Sequence, residues 1–301
     1  MEKKQEKIEE PARKVICLGQ AVIDCVTMNR LPVPGRPESA AAESIVLRPG
    51  GDAVNESMAL GSLGREVRPV FAVGDDAAGT LLIKAVEEKG IDTSGIVRMG
   101  NGFETPIANI FVERDGSRSS ISSKAVTLPG FRPSAGLLKG AAVVSLCSLF
   151  RAPLDDPEVL AELVSAAKAQ GSVVCADTKL PLFKKIALAD YGSVFPYIDY
   201  IFPNESEAAF YSGRNNYEEM AEAFLSRGVR HVVIKAGAEG CFAKDTEGFF
   251  HVPAVPVKAV NTTGAGDWFA AGFIAGLLDG LSFRECCEAG TVSASKKIVR
   301  G

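Results

Sequence analysis

The chain is 301 residues long, 47% hydrophobic, with a formal charge of −4. That is enough apolar material for one large α/β domain, or one domain with a small appendage, and the weak negative charge offers no global attraction to nucleic acid. No apolar stretch approaches the ~20 residues of a membrane span. The seven cysteines, at 17, 25, 147, 175, 241, 286 and 287, form no CxxC pair, which points to reduced thiols in a cytoplasmic protein. The two histidines, His231 and His251, are too few for a His-based metal site or a Ser-His-Asp triad, and each reads as structural.

Residues 1–13 are rich in Lys and Glu and read as a flexible tail; 14–301 reads as the folded unit. Val15 to Gly19 is a short apolar run ending in glycine, a buried first strand. Asp24 follows inside a second apolar run. It is either an edge-strand acid facing water or a carboxylate that accepts hydrogen bonds from substrate hydroxyls. Leu31 to Pro37 has too many prolines for a helix and is a loop. Gly50 and Gly51, then Asn55, stand between a strand and a helix. Paired glycines let a ligand approach the backbone closely, although a plain Gly-Gly turn capped by Asp52 has the same letters. Val67 to Val73 is a strand, and Asp76 to Lys89 an amphipathic helix ended by Gly90. Residues 105–112 and 119–122 form a hairpin that breaks the strand–helix rhythm.

The rhythm resumes with strands at Ala141–Cys147, Val173–Ala176, Tyr200–Pro203 and Val232–Lys235, and with a helix at Asp155–Gln170. Such alternation predicts a parallel sheet covered by helices, with ligands bound beyond the carboxyl ends of the strands. Lys179, Asn204, Glu207, Lys235, Gly237 and Gly240 all sit at or just past those ends. There is no GxxxxGK[ST] and no GxGxxG after the first strand, so neither a P-loop nor a dinucleotide-binding fold is expected.

Asn261-Thr-Thr-Gly264-Ala265-Gly266-Asp267 leads into Trp268 to Leu278, which is apolar nearly all round and reads as a buried helix. Unpartnered N–H groups and the positive end of the helix dipole at its start make an anion site. A carboxylate beside that nest suits phosphoryl transfer: the nest takes charge on the moving group, and the acid takes the proton of the attacking hydroxyl. An ordinary acidic first turn would look the same.

Together these motifs resemble the ribokinase-like (PfkB-type) carbohydrate kinases over the length of the chain after the tail. Asn261 to Phe269 is similar to the family's D-T-x-G-A-G-D-x-F signature, Gly50-Gly51-x-x-x-Asn55 to its N-terminal signature, Gly19 and Asp24 to the first strand and its sugar-contacting acid, and Asn204-x-x-Glu207 to its N-x-x-E motif. The resemblance implies a three-layer α/β/α fold with a mostly parallel central sheet and a small β lid from about 24–48 and 101–125. It implies an ATP-dependent kinase acting on a hydroxyl of a small sugar or sugar derivative, with Asp267 as base. Gly264, Ala265 and Gly266 would face the transferring phosphate; Asp24, Gly50, Gly51 and Asn55 would bind substrate. Asn204 and Glu207 would organise Mg²⁺ largely through water, and Lys235, Gly237 and Gly240 would line the nucleotide. A nucleoside kinase and a silent sugar-binding or regulatory homologue are the alternatives.

The chain departs from the pattern in places. Asn261 replaces the usual Asp that helps hold a monovalent cation in some members, so a potassium site would keep an oxygen but lose a charge. Lys179 stands where many members carry Asn, either as a second positive charge near the donor phosphates or as an exposed side chain. Gly290 falls about where some members place an adenine-facing Asn. The sequence stops at Gly301, and as a natural end that would weaken both the cation site and the adenine flank. Arg118 on the hairpin either meets an anionic substrate group or is solvated. An exposed lid edge invites pairing into a homodimer.

Overall fold

The computed structural model describes residues 13–32, 39–115, 117–258 and 262–300. The strands are β1 (Val15–Leu18), β2 (Val22–Pro32), β3 (Ala40–Gly50), β4 (Val67–Val70), β5 (Ala72–Gly74), β6 (Val97–Met99), β7 (Ile107–Val112), β8 (Arg118–Ser122), β9 (Val143–Leu149), β10 (Val173–Thr178), β11 (Tyr200–Ile201), β12 (His231–Lys235), β13 (Cys241–Lys244) and β14 (Phe249–Val252). The helices are α1 (Asp52–Ser62), α2 (Ala77–Glu87), α3 (Pro157–Ala169), α4 (Glu205–Ser212), α5 (Tyr217–Leu225), α6 (Ala265–Leu278) and α7 (Phe283–Arg300).

An eight-stranded sheet runs β14-β13-β12-β11-β10-β9-β1-β4. It is parallel from β4 to β12 and antiparallel at β13 and β14. Its central strands are apolar on both faces because both are covered. Ile16, Leu18, Val144, Leu146, Val174 and Ile234 pack with residues of α3, α4 and α5. Their strand neighbours Val15, Cys17, Val143, Cys147, Cys175 and Val233 pack with α1, α2, α6 and α7. The result is the three-layer arrangement expected from the alternation of elements. None of the described helices is long and apolar enough to cross a membrane.

A second, four-stranded sheet, β3-β2-β7-β8, stands apart from this layer. β2 is eleven residues long, and its Ile23 N–H donates to the Pro106 carbonyl at 2.9 Å as it leaves the layered body. Asp24 therefore sits on an inner strand of this sheet, not on an edge.

The structure corrects several element boundaries, beginning with β2, which runs through Leu31 and Pro32 where a loop is expected. Val67–Val73 is not one strand: pairing with β1 ends at Leu18↔Val70, and the chain turns at Phe71 so that β5 pairs with β6 in a separate two-stranded sheet. The helix expected from Trp268 starts at Ala265, with Gly264 as a left-handed N-cap at φ 77°. α6 can run through the core because α7 crosses it closely. A Cβ built on Gly272 would lie 2.4 Å from Ser293 Cβ and 2.7 Å from the Ala289 carbonyl oxygen, both on α7. Gly272→Ala should push the helices apart and cost about 1–3 kcal/mol, read as a lower urea midpoint with an unchanged far-ultraviolet spectrum.

Candidate active site

A cavity of ≈ 860 Å³ opens at the carboxyl ends of the parallel strands, beneath the small sheet. Asp267 is in its wall, at the third position of α6, and is 5% exposed. Its Oδ2 accepts a hydrogen bond from Asn55 Nδ2 at 2.9 Å. The two glycine-led helix starts thus converge, since Asn55 lies in the first turns of α1 and Asp267 in the first turn of α6. Burial first, and the nearby Asp52 charge second, push the Asp267 carboxyl well above the usual carboxylate range; Lys179 and the Asn55 hydrogen bond oppose that shift.

Gly264, Ala265 and Gly266 also line the cavity. Ala265 N–H is turned back on the Thr262 carbonyl at 3.2 Å. The N–H groups of Gly266 and Asp267 meet no acceptor among the described residues, so they are the free donors of the nest. Beside them is Lys235, whose Nζ would be 3.2 Å from a Cβ placed on Gly266. That ammonium is held by both oxygens of Asp177, at 2.7 and 2.8 Å.

Asp24, Gly51 and Asn55 line the cavity as well. Gly51 has φ 89°, and a side chain there would strike the Gln20 carbonyl oxygen at 2.6 Å, so only glycine fits this close crossing. Gly50 does not reach the cavity; its missing side chain leaves room for the Asp24 carboxylate, which would lie 2.3 Å from a Cβ. Burial, joined by the Asp52 charge, pushes Asp24 up to about 6.

Asp52 is not the helix cap that its position suggested. Gly51 is the N-cap without a side-chain bond, while Asp52 Oδ1 pairs with Lys179 Nζ at 3.1 Å and Oδ2 accepts from Ser148 Oγ at 2.7 Å. Lys179 is accordingly a largely buried cation in the cavity wall. Burial alone would lower it, but the charges of Asp52, Asp177 and Asp267 outweigh that and hold it well above lysine's ordinary value.

Asn204, Gly237 and Gly240 line the far end of the cavity with Val255, Val257 and Ile298. Glu207 does not reach the wall. It is 4% exposed and closes a capping box with Asn204, accepting from the Asn204 N–H at 3.0 Å and the Thr178 hydroxyl at 2.8 Å. Glu207 is thereby not offered for direct coordination, and Asn204 is the neighbouring oxygen ligand in the wall, which fits a magnesium ion held largely through water, as that ion prefers. Asn261 lies outside the described residues.

Arg118 is not simply solvated: from the first residue of β8 it donates to the Thr263 hydroxyl, linking the small sheet to the loop before α6. Both histidines are structural, His231 stacked on Tyr200 at 4.5 Å and His251 on Phe242 at 4.5 Å. The sequence reading missed Arg151, Asp52 as a charge partner, and the α7 residues Thr291, Ala294 and Ser295, all in the cavity wall. The rule that ligands bind past strand ends could have flagged Arg151, two residues after β9.

The profile of the pfkB family carbohydrate kinases matches residues 12–300. Mouse (Mus musculus) ribokinase is 30% identical, covering 87% of this chain and 80% of its own. An ATP-dependent ribose-1-phosphate kinase of Halopiger xanaduensis is 29% identical, covering 83% and 80%. Among solved structures, ribokinase from Thermotoga maritima superposes with a TM-score of 0.76 at 26% identity, covering 95% and 93%.

The Asp24 shift sets a pH dependence. The folded carboxyl holds its proton up to about 6, against an ordinary value of 3.8, so the folded state binds more protons than the unfolded chain between those values. Stability from this group is present at the acid end of that window and is lost as pH rises through about 6. Ligand-free Asp24→Asn should therefore gain melting temperature relative to the parent as pH rises across the window, with no further gain above it. A difference that shrinks with rising pH would contradict this.

Proposed function

The chain belongs to the pfkB family of carbohydrate kinases, phosphotransferases with an alcohol group as acceptor, and we propose that it moves the γ-phosphate of ATP to a hydroxyl of a small sugar or sugar derivative with Asp267 as base. The observation that carries this reading is the meeting of a buried carboxyl and free helix-start N–H groups on one cavity wall.

The acceptor lies against Asp24, Gly51 and Asn55, and the nucleotide runs along Gly237 and Gly240 toward the apolar slot formed by Val255, Val257 and Ile298. The acceptor oxygen attacks the γ-phosphorus in line. As the new O–P bond forms, the bond from phosphorus to the bridging oxygen breaks, ADP departs with that electron pair, and the hydroxyl proton passes to Asp267. A carboxylate whose proton affinity is raised is a stronger base than a solvated one. The Gly266 and Asp267 N–H groups and Lys235 hold the charge on the moving phosphoryl group. Asn204, with Glu207 behind it, would hold magnesium through water; when bound, that ion supplies positive charge to the phosphate oxygens.

The small sheet serves as a lid that keeps out water, a competing acceptor, and the Arg118–Thr263 bond ties it to the anion loop when shut. Its face toward the cavity carries Asp24, Ala108 and Ser122. The opposite face carries Ile45, Leu47 and Ile121, 65%, 56% and 66% exposed. An apolar sheet face of this kind supports a homodimer formed through the lid.

Relatives of nearly equal similarity are named for ribose and for ribose 1-phosphate, so similarity does not select the acceptor. Asp267→Asn should lower turnover by about 10²–10⁴-fold, the range for a general base, and still bind ATP by calorimetry; unchanged turnover would remove Asp267 from that role. Sedimentation should show a dimer that becomes a monomer in the Ile45→Lys, Ile121→Lys double variant, whereas a parent that sediments as a monomer would sink the interface.

A further inference from the structure

Three basic side chains, Arg151, Lys179 and Lys235, are in the cavity wall. Two have carboxylate partners. Lys235 is held by both oxygens of Asp177, and Lys179 by Asp52. The other oxygen of Asp52 accepts from Ser148 Oγ at 2.7 Å. Arg151 differs. Its Nε donates to the Leu180 carbonyl at 2.8 Å, and among the described residues its two terminal nitrogens have neither a hydrogen bond nor an ion pair.

That single bond has a geometric effect. It joins the loop after β9 to the loop after β10 and fixes the guanidinium plane, leaving the outer fork unoccupied. A guanidinium presents five donors in a rigid plane that matches two oxygens of a carboxylate or phosphate. A half-buried cation without a counter-charge is costly, and a bound anion would offset that cost.

Arg151 follows β9, the strand beside β1 in the central sheet, and β1 leads into Gln20 and Asp24. The residues that follow it, Ala152 and Pro153, share a small surface depression with Thr127 and Leu128, which come just after β8 of the small sheet. Val126, one residue earlier, is in the cavity wall and accepts at its carbonyl from Gln20 Nε2 at 2.7 Å. Gln20 leads directly into β2 and Asp24. The phosphate end is served separately by Lys235 and the α6 amides.

We infer that Arg151 binds an anionic group on the acceptor, so that the acceptor is a sugar phosphate or a sugar acid in preference to an uncharged sugar. This rests on the kinase reading above and names the chemical class of its substrate. The group recognised is a planar or tetrahedral oxyanion, and the phosphate and carboxylate sources are separated by the test.

The test is ADP release by the full chain with ATP and matched acceptors: ribose against ribose 1-phosphate and ribonate, fructose against fructose 6-phosphate, and glucose against gluconate. The expected kcat/KM for charged acceptors exceeds that of the uncharged partner by roughly 10–100-fold, the range for hydrogen bonds to a charged group. A preference confined to the phosphates or to the acids identifies the source. Arg151→Gln should erase the preference through the acceptor KM and leave the ATP KM in place, and Arg151→Lys should keep part of it, since charge remains without the fork. The inference falls if uncharged sugars are the better acceptors, if the preference survives in Arg151→Gln, or if that variant raises the ATP KM instead. Should no acceptor release ADP, the kinase reading fails, and calorimetry with the same compounds decides the inference alone. Charged compounds that bind the parent and bind both variants more weakly support it; binding of uncharged compounds only, or of none, overturns it.

Discussion

The site depends on placing an acid at the start of a helix that is otherwise buried. α6 is apolar on nearly every side and lies between the central sheet and α7, so Asp267 has little water near it. Its neighbours are arranged around that fact. Asn55, 212 residues away in the chain, donates to it, and Lys179 supplies a positive charge that opposes the rise in its proton affinity. Lys179 is in turn held by Asp52, and Lys235 by Asp177. Two ion pairs thus bracket the acid and keep cations at the cavity wall without leaving it strongly charged. Such pairs add little stability on their own account, because desolvation offsets much of their attraction. Their value here is position.

The fold supplies the position by simple means. Parallel strands end on one side of the sheet, and the turns leaving them must face the same space. β1, β9, β10 and β12 each deliver polar residues there, and α1 and α6 each begin there with glycine. Glycine at both starts has a steric reason. At Gly51 a side chain would meet the Gln20 carbonyl, and at Gly264 the backbone is left-handed at φ 77°. The small sheet closes the space from above with its polar face inward. Behind the wall, Glu56, the neighbour of Asn55 on α1, points into the core, accepts from the Cys17 thiol at 3.4 Å, and is pushed up to about 7 by burial. The helix that carries Asn55 is thereby anchored by a polar contact as well as by packing.

Most of this framework could be read from local patterns. The strand–helix rhythm gave the layers, and two glycine turns marked the helix starts that converge on Asp267. What escaped is tertiary. Whether Asp52 caps its own helix or pairs with Lys179 depends on a contact between distant loops, which no local rule encodes. The run Val67–Val73 carries no turn residue between Val70 and Val73, yet it splits because β1 ends at Leu18 and β6 offers a new partner. Asp24 could not be assigned to an edge or an interior strand until the pairing of β2 with both β3 and β7 was known. Arg151 carries no motif; its place past β9 could have flagged it, but that its terminal nitrogens meet no acceptor among the described residues is a fact of three dimensions.

The central claim is that the free N–H groups at the start of α6 hold the phosphoryl group in transit while Asp267 receives the proton. A crystal structure of the protein with ADP, magnesium, a planar metal fluoride and a turned-over acceptor tests it most directly. The account predicts fluoride atoms within hydrogen-bond distance of the Gly266 and Asp267 N–H groups, with the acceptor oxygen in line and within hydrogen-bond distance of the Asp267 carboxylate. A fluoride plane elsewhere in the cavity, or an acceptor oxygen that contacts a different base, would contradict it.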